Sequence, residues 1–206
     1  FANALVGHVR GGLAQVNVLA SIIFSGMTGT VIGDAAGLGR IEIHAMRKAG
    51  YRPAFAGAVT VSSAVIGPII PPSMIMIIYA ELAEVSIVDL FLGGIIPGLL
   101  IGSVLMVYIY FAAHRVGPKP IKPYTWPERG RAFSNSLLPA LSPVIVVGGI
   151  ISGIITPTEA GLIAVLYALL LAGIYRSMSL KQMVLAFREA ALATAMPLFI
   201  ISTAIL

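Results

Sequence analysis

The chain has 206 residues, 58% hydrophobic and only 10% charged, with mean hydropathy +0.99. Soluble globular domains carry about a quarter charged residues, so this composition fits an all-α protein that crosses a bilayer several times. The absence of cysteine excludes disulfides, thiolate metal sites and a cysteine nucleophile, and the net charge of +5 lies between apolar runs, where it sets topology rather than attracting nucleic acid.

Residues 1–12, with His8 and Arg10, read as the end of a preceding helix and a cytoplasmic loop. A second, mainly basic cluster follows at Arg40, Glu42, His44, Arg47, Lys48 and Arg52. The apolar stretch between them therefore has both ends on the positive, cytoplasmic side. At about 1.5 Å per residue, 11–39 would make a helix of roughly 43 Å, longer than a hydrocarbon core of roughly 30 Å. Folded at its centre, it becomes a re-entrant hairpin over 13–40, with the tip Ser25-Gly26-Met27-Thr28-Gly29-Thr30 rich in glycine and hydroxyls. One long tilted helix is the alternative. Irregular backbone at membrane depth is tolerated only against protein or a water-filled cavity, so such a tip requires a partner. Asp34 lies one turn past it; an acid there is a functional candidate, or an acceptor for backbone hydrogen bonds.

The span 53–80 supplies the partner. Its centre reads Ser62-Ser63-Ala64-Val65-Ile66-Gly67-Pro68-Ile69-Ile70-Pro71-Pro72-Ser73. Three prolines remove three N–H donors and push the residues before them out of helical geometry, which predicts a discontinuous transmembrane helix. Carbonyls freed by the break lie close to serine hydroxyls, a set of hard, neutral oxygens. Broken helices of this kind bind sodium in secondary transporters, and half-helix N-termini favour an anionic substrate group. A proline kink that only shapes packing is the competing explanation.

Farther on, Glu81, Glu84 and Asp89 form an acidic interlude placed outside, and 90–113 return as a transmembrane helix. Residues 114–132, with His114, Arg115, Lys119, Lys122, Arg129 and Arg131, read as a cytoplasmic loop. Transmembrane helices follow at 133–155 and 160–175, the second announced by Thr156, Pro157 and Glu159 as a capping box. Residues 178–190 fit an amphipathic interfacial helix, and 191–206 begin a further transmembrane helix. The chain opens at Phe1 and stops at Leu206 within an apolar run, so it reads as a fragment of a longer protein. No nucleotide cradle, no histidine pair with metal spacing and no nucleophile elbow occurs in it. An enzyme is not expected; the energy source is an ion gradient or a separate subunit.

The blocks Gly7-His8-Val9-Arg10-Gly11-Gly12, Ser25-Gly26-Met27-Thr28-Gly29-Thr30, Asp34-Ala35-Ala36-Gly37-Leu38-Gly39 and Met46-Arg47-Lys48-Ala49-Gly50-Tyr51 resemble the large membrane subunit of tripartite ATP-independent periplasmic (TRAP) transporters. So do Ile66-Gly67-Pro68-Ile69-Ile70-Pro71-Pro72-Ser73, Gly94-Ile95-Ile96-Pro97-Gly98 and Thr156-Pro157-Thr158-Glu159-Ala160-Gly161. The resemblance covers essentially the whole chain. It implies an inverted-repeat, elevator-type transporter in the bacterial or archaeal inner membrane. Sodium would be the coupling ion, with no cofactor. The implied partners are a small membrane subunit and a periplasmic binding protein that delivers a carboxylate such as a C4-dicarboxylate or sialic acid. Carried onto this sequence, the sodium site comprises Ser25, Gly26, Thr28 and Thr30 with Ser62, Ser63, Gly67, Pro68 and Ile69. Gly29, Asp34, Pro71, Pro72 and Ser73 then lie near the substrate. Met27 and Val31 are bulkier than the family's usual tip residues. A divalent-anion sodium symporter needing no binding protein, and a channel with a re-entrant pore loop, are the alternatives.

Overall fold

The computed structural model describes residues 1–116 and 124–205, and within them side chains other than those of 26–28, 36, 114–116, 196–197, 200–201 and 204–205. The described residues are helical, without a strand. They form two compact units, Phe1–Ala164 and Val165–Leu206.

In the first unit, α1 (Ala2–Val6) leads into α2 (Gly12–Thr28), which ends at Gly29. Gly29 has φ +57°, and its N–H donates to the Ser25 carbonyl at 3.1 Å. This left-handed conformation is the usual helix stop that glycine adopts without steric cost. Thr30 then caps α3 (Val31–Ala36), its hydroxyl accepting from the Gly33 N–H at 3.0 Å. The chain bends again at Gly37 into α4 (Leu38–Lys48). The stretch expected as one second arm, 31–40, is thus two helices, and the second runs on to Lys48.

Arg52 precedes α5 (Pro53–Ala64), which starts with proline at a position where no N–H is needed. Helix α5 stops before Gly67-Pro68, and α6 (Met74–Ala83) resumes after Pro72 with Ser73 as its cap. At about 1.5 Å per residue these helices are about 18 and 15 Å long, each roughly half a hydrocarbon core. Between them the backbone continues in tight turns, with Gly67 N–H donating to Ala64 O and Ile69 N–H to Ile66 O, both at 3.0 Å.

Among the described residues, three helices are long and apolar enough to cross a membrane: Ile87–Ala113 within α7 (Ile87–Val116), α8 (Trp126–Ile151) and α9 (Pro157–Tyr175). Their outward faces are apolar, with Ile96, Phe111, Val144 and Leu162 among the exposed side chains; in water such a surface would be a large liability, and in lipid it is the ordinary one. Residues 114–116 and 126–132, expected in a loop, belong to α7 and α8, while 117–123 lie outside the described residues. Helix α8 begins early because Thr125 and Glu128 form a capping box, the Thr125 N–H donating to Glu128 Oε2 at 2.7 Å. The same box starts α9, where Thr156 N–H donates to Glu159 Oε2 at 2.7 Å and Glu159 N–H to Thr156 Oγ1 at 3.3 Å.

The core has two parts. Ala14 and Val18 of α2, Met46 of α4, Ala56 and Val59 of α5, and Ile109 of α7 form the larger. Phe91 of α7 with Val146, Ile150 and Ala160 of α8 and α9 forms the smaller. The Tyr51 hydroxyl donates to the Gly11 carbonyl at 2.8 Å and pins the start of α2. Gln15 Nε2 donates to the Met106 carbonyl at 2.9 Å and ties α2 to α7.

The second unit holds the end of α9 and α10 (Leu180–Ile205). One helix covers the expected interfacial segment, 178–190, from residue 180 onward, together with the span expected from 191. Residues 180–195 are mostly Leu, Ala, Glu, Arg, Lys and Gln, good helix formers without a breaker.

Candidate functional site

The turn between α2 and α3 meets the break between α5 and α6 at two points, and each has a glycine on one side. A Cβ on Gly29 would lie 2.5 Å from the Pro72 carbonyl oxygen and 3.2 Å from both Ser73 Cα and Met74 N. A Cβ on Gly67 would lie 3.3 Å from the Thr30 carbonyl oxygen. At Gly29 only hydrogen lets the two irregular segments come this close; at Gly67 a methyl group would force a shift of a few tenths of an ångström. The junction brings together main-chain oxygens of Thr30 and Pro72, hard and uncharged, which suit a sodium ion better than a transition metal.

Buried serines flank the two segments that meet there. Ser25 is fully buried, its hydroxyl donating to the Ile22 carbonyl at 2.7 Å and leaving its lone pairs free to accept. The buried Ser73 hydroxyl donates to the Pro68 carbonyl at 2.7 Å and accepts from the Met76 N–H at 3.3 Å, so it holds the break closed and starts α6. Pro71 is buried beside it.

The other residues expected at a sodium site are placed differently. Ser62 is exposed on α5, since successive helical residues point about 100° apart and its neighbour Ser63 is buried. The Pro68 carbonyl accepts one hydrogen bond from Ser73, as the Thr30 carbonyl does from the Asp34 N–H, and the Ile69 carbonyl abuts Gly94 of α7. The Thr30 hydroxyl is engaged as the cap of α3, leaving its carbonyl as the group facing Gly67. The side chains of Gly26 and Thr28 lie outside the described residues.

A polar layer extends beneath the junction, and most of it was not singled out from the sequence. Ser63 Oγ donates to Asn17 Oδ1 at 2.8 Å and receives a hydrogen bond from Ser21 Oγ at 3.1 Å. Asn17 Nδ2 donates to Thr60 Oγ1 at 2.7 Å. All four residues are buried. Their spacing carries the signal: Asn17, Ser21 and Ser25 recur every fourth residue on one face of α2, and Thr60 and Ser63 share one face of α5.

Asp34 lies against this layer, buried, with the Ser21 hydroxyl as its polar neighbour and neither carboxylate oxygen within hydrogen-bonding geometry of a donor. Glu42 of α4, outside the three candidate spans, also has both carboxylate oxygens buried without a partner. Burial pushes its carboxyl up to about 8, and the Asp34 charge adds to the shift.

A cavity of about 240 Å³ opens beside the junction, between Gly29, Ser73 and Met74 on one side and Val146, Pro157 and Gly161 of α8 and α9 on the other. It is mostly apolar, with the N-terminal end of α6 at its wall.

Long apolar helices enclosing a glycine-mediated junction of two irregular segments define a helical membrane protein with a buried, oxygen-rich site. The chain belongs to the tripartite ATP-independent periplasmic transporter family, DctM component, whose model matches residues 1–206. It is 43% identical over 196 residues to the sialic acid TRAP transporter large permease protein of Vibrio cholerae, covering 95% of this chain and 46% of that protein. It is 40% identical over 208 residues to the C4-dicarboxylate TRAP transporter large permease protein of Pseudomonas aeruginosa, covering 100% and 48%. With the 2,3-diketo-L-gulonate TRAP transporter large permease protein of Escherichia coli it shares 36% identity over 201 residues, covering 97% and 47%. These relatives are named as transporter permeases, not enzymes, and the chain spans just under half the length of each.

Proposed function

We propose that this chain is part of the large permease subunit of a sodium-coupled secondary transporter in the bacterial or archaeal inner membrane, crossing it several times. The observation that carries the reading is the interlock of Gly29 with the Pro72 carbonyl and of Gly67 with the Thr30 carbonyl. Sodium binds where these main-chain oxygens and Ser25 converge, and it ties the re-entrant hairpin to the discontinuous helix. The substrate is an organic acid, the class named for the sialic acid, C4-dicarboxylate and diketogulonate relatives. Its carboxylate approaches the α6 N-terminus, where unpaired N–H groups favour negative charge. Gly29, Pro72 and Ser73 form that wall.

Binding sodium first neutralises and orders the junction, so that the carboxylate meets a formed site. The hairpin and broken helix then move as one body against a scaffold that includes α7, α8 and α9, carrying both solutes across as an elevator; an inverted repeat completes the site. A small membrane subunit and a periplasmic binding protein that delivers the substrate are the partners the family membership supports.

The test is uptake by the full-length permease with its small subunit in proteoliposomes, with and without a sodium gradient and the binding protein. Uptake that needs both is the expected result. Uptake with sodium alone would identify a symporter that works without delivery. Ion currents without saturable uptake would overturn the transporter reading in favour of a pore loop.

A further inference from the structure

Asp34, buried, and Glu42, half-buried but with both carboxylate oxygens covered, have no basic partner, an electrostatic problem that the tip junction does not solve. Asp34 is 2% exposed, its two carboxylate oxygens lack donors, and Glu42 repeats the pattern within its electrostatic reach. Among the described residues no lysine, arginine or histidine forms an ion pair with either. Arg40 and His44, the basic residues nearest in sequence on α4, are exposed. An isolated buried carboxylate is far more costly than an unmade hydrogen bond unless a positive charge accompanies it.

The surroundings are suited to a cation. The single hydrogen of the Ser21 hydroxyl can serve Ser63 or Asp34, not both. When it points to Ser63, the Ser21 oxygen presents its lone pairs beside two carboxylate oxygens that have no donor. Hard oxygens of this kind, one charged and one neutral, match an alkali cation. The layer lies under the junction: Asp34 N–H donates to the Thr30 carbonyl at 3.2 Å, so Asp34 is coupled to the turn without being part of it.

We propose that Asp34 and Ser21, with Glu42 beside them, hold a monovalent cation in the polar layer between α2, α3 and α4, separate from the ion at the turn. This cation would neutralise Asp34 and brace α3 and α4 against α2. It does not depend on the assignment of the turn as a sodium site.

The experiment is equilibrium binding of radiolabelled sodium to the purified full-length permease with its small subunit, at constant ionic strength in choline chloride. Asp34→Asn is expected to bind one sodium ion fewer than the wild type. Ser21→Ala should keep the count and raise the half-saturating concentration at least tenfold. Gly29→Ala acts on the turn, so it should keep the count and raise only the half-saturating concentration of the other ion. Asp34→Asn that folds and retains the wild-type count overturns the proposal; should it fail to fold, an unchanged half-saturation in Ser21→Ala does so. If Gly29→Ala leaves every half-saturating concentration unchanged while Asp34→Asn loses an ion, the site at the turn fails and this one stands.

Discussion

The Thr30 carbonyl oxygen faces Gly67 across the junction, and the Pro72 carbonyl faces Gly29, but the two contacts are not equally tight. A methyl group at 67 would sit 3.3 Å from its carbonyl, whereas one at 29 would sit 2.5 Å away on a backbone with φ +57°. Gly67→Ala can be absorbed by a shift of a few tenths of an ångström. Gly29→Ala adds a left-handed strain of about 1 kcal/mol to a contact with backbone that has to move. Sodium-dependent uptake should therefore need at least tenfold more sodium in Gly29→Ala and only a few-fold more in Gly67→Ala. The reverse order in a sodium titration of uptake would place the ion elsewhere.

Asn17 supports the junction from below, and removing it takes away the shorter of the two acceptors of Ser63, leaving only the Thr60 carbonyl at 3.0 Å, and leaves Thr60 Oγ1 without its donor. Buried polar groups left unpaired cost about 1–3 kcal/mol each. Asn17→Ala should lower the thermal unfolding midpoint by several degrees, and Ser63→Ala should lower it more than Ser62→Ala, whose side chain is exposed. Equal effects of the two serine variants would contradict the orientation of α5.

What the sequence could show depended on how local the cause was. Gly67, Pro68, Pro71 and Pro72 interrupt a helix whatever surrounds them, so the gap from Ala64 to Met74 is written in the chain itself. The capping box at Thr156 and Glu159 is equally local. The one at Thr125 and Glu128 was obscured by the charges around it, which read as loop. Ser62 and Ser63 were indistinguishable as ligands until the packing of α5 against α2 chose between their faces. The Pro68 and Ile69 carbonyls looked free because proline removes donors, yet Ser73 and Gly94 lie against them. That depends on partners five and twenty-five residues away, which no spacing rule supplies.

The seam between α7 and the broken helix offers a graded test of packing. Gly94, Gly98 and Gly102 recur every fourth residue, the small-residue spacing that lets helices approach closely in membranes. A Cβ on Gly94 would strike the Ile69 carbonyl and lie 2.6 Å from Met76 Cε, while on Gly98 it would meet the Ile70 side chain. A side chain can turn away; a carbonyl in a proline-bounded turn cannot do so cheaply. Gly94→Ala is expected to cost about 2–3 kcal/mol, the upper part of the range for overpacking, and Gly98→Ala about 1 kcal/mol. Unfolding of the two variants in a detergent denaturation series checks the order.

Glu42 gives the pH dependence. Its carboxyl is raised from 4.5 to about 8, first by burial and then by the Asp34 charge. Between those two values the folded protein keeps a proton that the unfolded chain has released. Stability therefore falls as pH rises from about 4.5 to 8 and levels off above it. Partial exposure screens the effect, so its size is smaller than the full shift implies. In sodium-free buffer the wild type should lose thermal stability across this window, and Glu42→Gln should flatten the curve by removing the titrating group while keeping the shape of the side chain. A wild-type curve that stays flat from pH 5 to 9, or a variant that keeps the full slope, would show that Glu42 is solvated and ionised throughout.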